Sequence, residues 1–182
     1  MAIYQLGDLI PTVDPEAYVH PDAVVIGDVT IGAESTVWPS AVLRGDYGTI
    51  TVGARTSVQD GTVIHVAREG QGTEIGSGVM IGHMAMIHAC TIKDNAMIGM
   101  TACIMDEAVV ETGAMVAAGA FVSPKKVVGS GEVWAGRPAK FWRMMSEQDL
   151  YYFHSGVEHY YELGREYRTG EPHSRPWEDR KG

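Results

Sequence analysis

The chain has 182 residues, a formal net charge of −9 and 45% hydrophobic residues, which predicts one soluble domain with a single core. The acidic balance argues against nucleic acid and anionic membrane surfaces as partners. No apolar stretch approaches eighteen residues, which argues against a transmembrane helix.

In chain order, the opening MAIYQLGDLIPTV lacks a basic segment followed by an apolar core, so no signal peptide is predicted. Aliphatic residues then recur every six positions. One series joins Ile31, Val37 and Leu43; the next Val52, Val58 and Ile64; the next Ile75, Ile81 and Ile87. From Ile92 the step runs unbroken through Ile98, Ile104, Val110, Val116, Val122 and Val128. Period six is neither helical nor the simple strand period of two; it is the hexapeptide signature of a parallel β-helix. Three hexads make one triangular coil, with one inward aliphatic residue per hexad and neighbouring coils about 4.8 Å apart. The 22 glycines fit the corners, as in Ile31-Gly32, Val52-Gly53 and Ile98-Gly99, where the backbone bends or reaches positive φ. Evenly spaced strands of a β-sandwich are the competing reading, and seven consecutive hexads weigh against it. The fold is therefore read as an all-β solenoid over residues 11–135.

The six-residue step breaks three times: to nine between Leu43 and Val52, eleven between Ile64 and Ile75, and five between Ile87 and Ile92. The breaks lie close to Arg44, His65, His83 and His88. Irregularities in a repeat tend to map to its binding face. The eleven-residue step is expected to disturb the register, so that His65 and His83, eighteen residues apart, need not stack. Past Val133 the segment 136–140 reads as a turn. Ser146 with Asp149 three residues on resembles a capping box, opening an amphipathic helix over 146–168 that packs on the β-helix or a neighbouring subunit. Residues 169–182 are polar and read as a disordered tail. Cys90 and Cys103 lack CxxC spacing, which predicts unpaired thiols and a cytoplasmic setting.

Three histidines suit a zinc-type ion. Imidazole is its commonest ligand, neutral ligands leave the ion its full charge, and an open fourth position lowers the pKa of bound water to near 7. Spacing alone does not separate this from unrelated surface histidines in a chain with seven.

The stretches RGDYGTITVGARTSVQDGTVIHV and IGHMAMIHACTI resemble the γ-class carbonic anhydrase family and its bacterial hexapeptide-repeat relatives. The resemblance runs from about Pro11 to the C-terminal helix. It implies a left-handed β-helix and a homotrimer with metal sites between subunits. His65 and His88 would come from one chain and His83 from its neighbour. It implies Zn2+, with Fe2+ or Co2+ accepted, and attack of a metal-bound hydroxide on CO2 to give bicarbonate. Arg44 and Asp60 match an interface ion pair, a bidentate arrangement that registers two chains. Asp46 matches an acid in the same network. Gln59 matches an amide that orients the hydroxide, and Tyr160 a helix tyrosine that reaches toward the pocket. His154 and His159 read as surface positions.

The chain also departs from that family's pattern. Tyr47 stands where active members carry a proton-shuttling glutamate, and Arg68 stands near the place of a second. Glu69, His20 or buffer would have to serve instead, so the rate is in question. A metal-dependent acyl-coenzyme A thioesterase, a hexapeptide acyltransferase and a catalytically weak metal-binding trimer are the alternatives. The turn at 136–140 resembles an acyltransferase segment, but acyltransferases need no cluster of three histidines.

Overall fold

A computed structural model describes residues 2–67 and 70–169. The chain winds into a left-handed parallel β-helix of about seven turns, followed by one helix. Each hexad forms a short strand, and each strand pairs in parallel with its counterpart in the next coil. Three interior columns result. Val25, Leu43, Ile64, Ile87, Ile104 and Val122 stack along one face. Ile31, Val52, Ile75, Ile92, Val110 and Val128 stack along the second. Val19, Val37, Val58, Ile81, Ile98 and Val116 stack along the third. These aliphatic side chains are buried, as are corner alanines such as Ala96, Ala102, Ala108 and Ala114. Strands Val24–Ile31 and Val42–Val52 run past a corner without a break, which joins the first two faces into one sheet.

The irregular steps leave this stacking intact. Across the eleven-residue step Ile64 still sits on an inward aliphatic residue, Ile87, twenty-three residues later. The loop thus displaces the register as the eleven-residue step predicts: His65 lies opposite His88 and not opposite His83. Residues 68 and 69 of that loop lie outside the described residues.

Corner glycines divide between two roles: Gly61, Gly78, Gly113 and Gly119 reach positive φ as expected. Gly32, Gly53, Gly82 and Gly99 do not adopt positive φ. They instead permit close approach of neighbouring coils: a Cβ at Gly99 would fall 2.4 Å from the Ala118 amide nitrogen, and one at Gly53 would fall 2.5 Å from the Gly76 carbonyl carbon. The left-handed corner positions include Arg55, Asn95, Thr101 and Glu107, at φ between 52° and 59°. Each such residue costs on the order of 1 kcal/mol, offset by the continuous burial of the columns.

The solenoid extends beyond 11–135 at both ends. Strand Ala2–Tyr4 pairs with Val24–Ile31. Residues 136–139 turn the chain so that Lys140–Met144 returns antiparallel to Glu132–Ala135. The hexad pattern does not signal this hairpin, because Phe141, Trp142 and Met144 are all exposed.

Helix α1 spans Glu147–Thr169. Its cap is reciprocal: the Asp149 amide donates to Ser146 Oγ at 3.2 Å, and the Ser146 amide donates to Asp149 Oδ2 at 2.8 Å. Paired hydrogen bonds from Arg143, joined by those from Ser146, hold the Asp149 carboxyl well below the usual carboxylate range. The helix runs back over the third face. A Cβ at Gly164 would meet Thr36 Cγ2 at 2.3 Å, and one at Gly156 would meet Met80 Sδ at 3.0 Å. These two glycines set the helix close against the sheet. Arg55 clamps it from the side, bonding Glu158 at 2.6 Å and lying 4.5 Å over the Tyr161 ring. Residues 170–182, most of the segment read as a disordered tail, lie outside the described residues.

The close approach at Gly99 predicts that Gly99→Ala forces two coils apart, at a cost of about 1–3 kcal/mol. Urea unfolding of the variant beside wild type measures this, and equal midpoints would refute it.

Candidate metal centre

Strand alternation builds one half of the site. Ile64 and Ile87 point inward, so their neighbours His65 and His88 point outward from adjacent coils. Arg44 lies opposite His65 on the strand of the preceding coil. His65 Nδ1 and His88 Nε2 face each other at 3.3 Å. Two nitrogens bound at 2.0–2.1 Å to one tetrahedral zinc lie about 3.3 Å apart. The pair therefore fits one tetrahedral ion without rearrangement of the backbone.

Each ring is held from behind. His65 Nε2 lies 2.8 Å from Asp46 Oδ1, and His88 Nδ1 lies 2.6 Å from Asp106 Oδ1. A carboxylate on the far nitrogen fixes the tautomer and turns the other nitrogen toward an ion. Arg44 also contacts Asp46. Burial opposes the charge on Asp46, but the His65 hydrogen bond, its own backbone amide and the Arg44 guanidinium together hold its carboxyl below the usual range. Asp46 is thus a stable anion at neutral pH.

His83 belongs to a different place. It sits in the turn between the third face and the first, next to left-handed Met84, and its Nδ1 lies 2.9 Å from Asp60 Oδ2. Buried Gln59 precedes Asp60. Tyr160 approaches the same place from α1. Its ring packs 5.6 Å from buried Trp38, whose Nε1 donates to Thr36 Oγ1 at 2.9 Å. Burial, followed by the negative charge of Asp60, raises the Tyr160 pKa, so its hydroxyl stays protonated. Gln59, His83 and Tyr160 border a groove of about 280 Å³ floored by Met80, Met97 and Met115.

The eight residues singled out in the sequence thus fall into two groups. Arg44, Asp46, His65 and His88 gather on one face; Gln59, Asp60, His83 and Tyr160 gather at the other place. Among the described residues no cluster of three metal-ligating side chains forms within one chain. Arg44 and Asp60 do not pair within the chain: Arg44 takes Asp46, and Asp60 takes His83. His154 and His159 are exposed on α1. His20 is engaged in its own turn, accepting the Asp22 amide at 3.1 Å. Cys90 is buried, which pushes its thiol up to about 12, and Cys103 is half-buried. Asp106 was missed in the sequence. Its signal is the eighteen-residue spacing from His88, one regular coil.

No family model matches the chain. A mitochondrial γ-carbonic anhydrase 2 of Arabidopsis thaliana is 44% identical over 163 residues. That alignment covers 87% of this chain and 59% of the relative, so the chain spans less than two thirds of that protein's length. A carnitine operon protein CaiE from Proteus is 39% identical over 170 residues, covering 93% of this chain and 86% of the relative. The chain belongs to the γ-carbonic anhydrase-like family of hexapeptide-repeat proteins. A solved hexapeptide transferase family protein from Anaplasma phagocytophilum superimposes with a TM-score of 0.87 at 44% identity, covering 91% of this chain and 98% of that one. An N-acyltransferase from Bacillus cereus, at 13% identity and a TM-score of 0.66, shares the fold alone. The γ-carbonic anhydrase-like family is thus joined by a transferase-named relative on the same scaffold. No helix among the described residues is long and apolar enough to cross a membrane.

If the facing pair forms half of a metal site, His65→Ala and His88→Ala each abolish zinc binding near one ion per chain, because two remaining imidazoles hold the ion weakly. Equilibrium dialysis followed by metal analysis checks this. Retention of zinc by either variant would contradict the assignment.

Proposed function

We propose that the protein is a metal-dependent enzyme that hydrates CO2 reversibly to bicarbonate, with Zn2+, or Fe2+ or Co2+, held between subunits of a homotrimer. The observation that carries this reading is the His65–His88 pair, 3.3 Å apart with a carboxylate behind each ring. His83 of a neighbouring copy supplies the third ligand. Exposed Met84 and Met100, 67% and 56% accessible beside the His83 turn, support burial of that surface against another chain. Asp60 faces His83 through one carboxylate oxygen, which leaves the other for Arg44 of the neighbouring copy across the same contact.

When bound, the ion supplies a Lewis acid that brings a water's pKa to near 7. The chain's own residues supply the rest. His65 and His88 fix the ion's position through Asp46 and Asp106. Gln59, buried beside His83, offers an amide oxygen that accepts a hydrogen bond and an amide N–H that donates one. This orients the nucleophilic oxygen toward the carbon of CO2. Tyr160 remains protonated, closes the groove and offers a hydroxyl donor. Proton export is the weak link, because Tyr47, and not a carboxylate, stands exposed at the expected shuttle position.

A second reading is favoured by one observation. A groove of about 280 Å³ floored by methionines is larger than CO2 requires, and methionine adapts to varied apolar shapes. Water attack on an acyl thioester, releasing a carboxylic acid and a thiol, would use that space. A catalytically weak metal-binding trimer is the outcome if neither substrate reacts.

Stopped-flow CO2 hydration on protein loaded with zinc, or anaerobically with iron, separates these readings. Metal-dependent hydration that vanishes in His88→Ala, falls in Gln59→Ala and rises with buffer concentration is expected. Background hydration by fully metallated protein would refute the anhydrase reading, and acyl-thioester hydrolysis would then be assayed.

A further inference from the structure

Resting on the metal-site reading above, we propose that Asp106 is a positioning residue that sets His88 as a metal ligand. Asp106 lies eighteen residues past His88, one regular coil away, and its Oδ1 is 2.6 Å from His88 Nδ1. None of the motifs that carry the family resemblance contains it.

The geometry gives this contact a direction. A neutral imidazole carries one N–H, and its other nitrogen bears the free lone pair. A carboxylate at Nδ1 holds the proton there. That leaves Nε2 as the lone-pair nitrogen, and Nε2 is the atom facing His65. Asp106 therefore fixes both the tautomer and the ring plane that aim His88 at the ion. Without it the ring is free to rotate, or to carry its proton on Nε2, where it cannot ligate.

The carboxylate is itself held in place. Asp106 occupies a tight corner closed by the Ala108 amide donating to the Met105 carbonyl at 3.0 Å. Its own carbonyl accepts the Lys125 amide of the next coil at 3.0 Å, and the Glu107 amide donates to Ala89 of the preceding coil at 2.7 Å. Backbone anchors on both sides give the side chain a fixed origin. Asp106 is half-buried and Glu107, next to it, is exposed. Glu107 faces Lys125 at 3.7 Å, so it serves as a control with the same charge on the same turn.

Two readouts on the assembled protein test the assignment. First, histidine-selective nitrogen-15 NMR of the metal-free protein at a pH where the rings are neutral reports the His88 tautomer. Wild type and Asp106→Asn, whose amide oxygen still accepts, are expected to carry the proton on Nδ1; Asp106→Ala is expected to shift it to Nε2. Second, zinc affinity is measured by competition with a chromophoric chelator. Asp106→Ala is expected to bind zinc 10- to 100-fold more weakly, Asp106→Asn to recover most of that loss, and Glu107→Gln to match wild type. An unchanged tautomer in Asp106→Ala, or zinc affinity within twofold of wild type, would overturn the proposal. If the tautomer behaves as expected but wild type binds no zinc, the metal-site reading is what has failed, and the positioning role falls with it.

Discussion

Stacking of one inward aliphatic side chain on the same position of the next coil governs the rest of this structure. Each fully buried isoleucine or valine contributes about 1.5–3 kcal/mol, and the columns repeat that contact along all three faces. The cost falls at the corners, where residues such as Thr101 and Glu107 accept left-handed backbone and Gly99 must lack a side chain. A rigid prism results, with its outward side chains spaced by the strand ladder. Histidines placed next to inward isoleucines in paired strands have no choice but to stand side by side. The His65–His88 pair is therefore a consequence of the core, built on strands instead of loops.

Electrostatics then separates roles that spacing leaves mixed. Asp46, Asp60 and Asp106 each stand behind a different histidine. This pattern suits ligation, because each carboxylate commits one ring nitrogen and releases the other. It also explains why Arg44 and Asp60 are apart in a single chain. Asp60 serves His83 at the turn, while Arg44 serves Asp46 on the strand. Proximity of the two groups requires a second copy that presents its turn to this strand face. Helix α1 completes the turn side. Its two sheet-facing glycines, eight residues apart with Tyr160 midway, place the tyrosine ring against Trp38 and beside the groove.

Much of the fold was legible in the sequence because a period of six has one structural solution when sustained. The columns, the capped helix and the breaks near the site all follow from residue spacing. The ends of the solenoid were hidden. Ala2–Tyr4 is too short to show a period, and the hairpin through Lys140–Met144 exposes its large side chains. The positive-φ reading of the corner glycines holds at Gly61, Gly78, Gly113 and Gly119, while Gly99 serves a different purpose. Sequence shows where a side chain is absent, but only coil-to-coil packing shows that Gly99 must make room for Ala118. At the site, the histidines were legible as types, and the break between Ile64 and Ile75 signalled that His65 and His83 would not stack, but the pairing of His65 with His88 showed only in the strand ladder. Asp106 was obscured because an acid at a repeat corner looks like any solvated turn residue.

The central claim is that each metal site is shared, with His65 and His88 from one chain and His83 from the next. Subunit mixing tests it most directly. Chains carrying His83→Ala and chains carrying His88→Ala should each bind no zinc alone. Co-assembled at equal ratio into random trimers, they should recover about one quarter of the wild-type sites, because one interface in each hybrid ring unites three intact ligands. Failure of mixed trimers to bind zinc, while wild-type trimers bind it, would contradict a shared site.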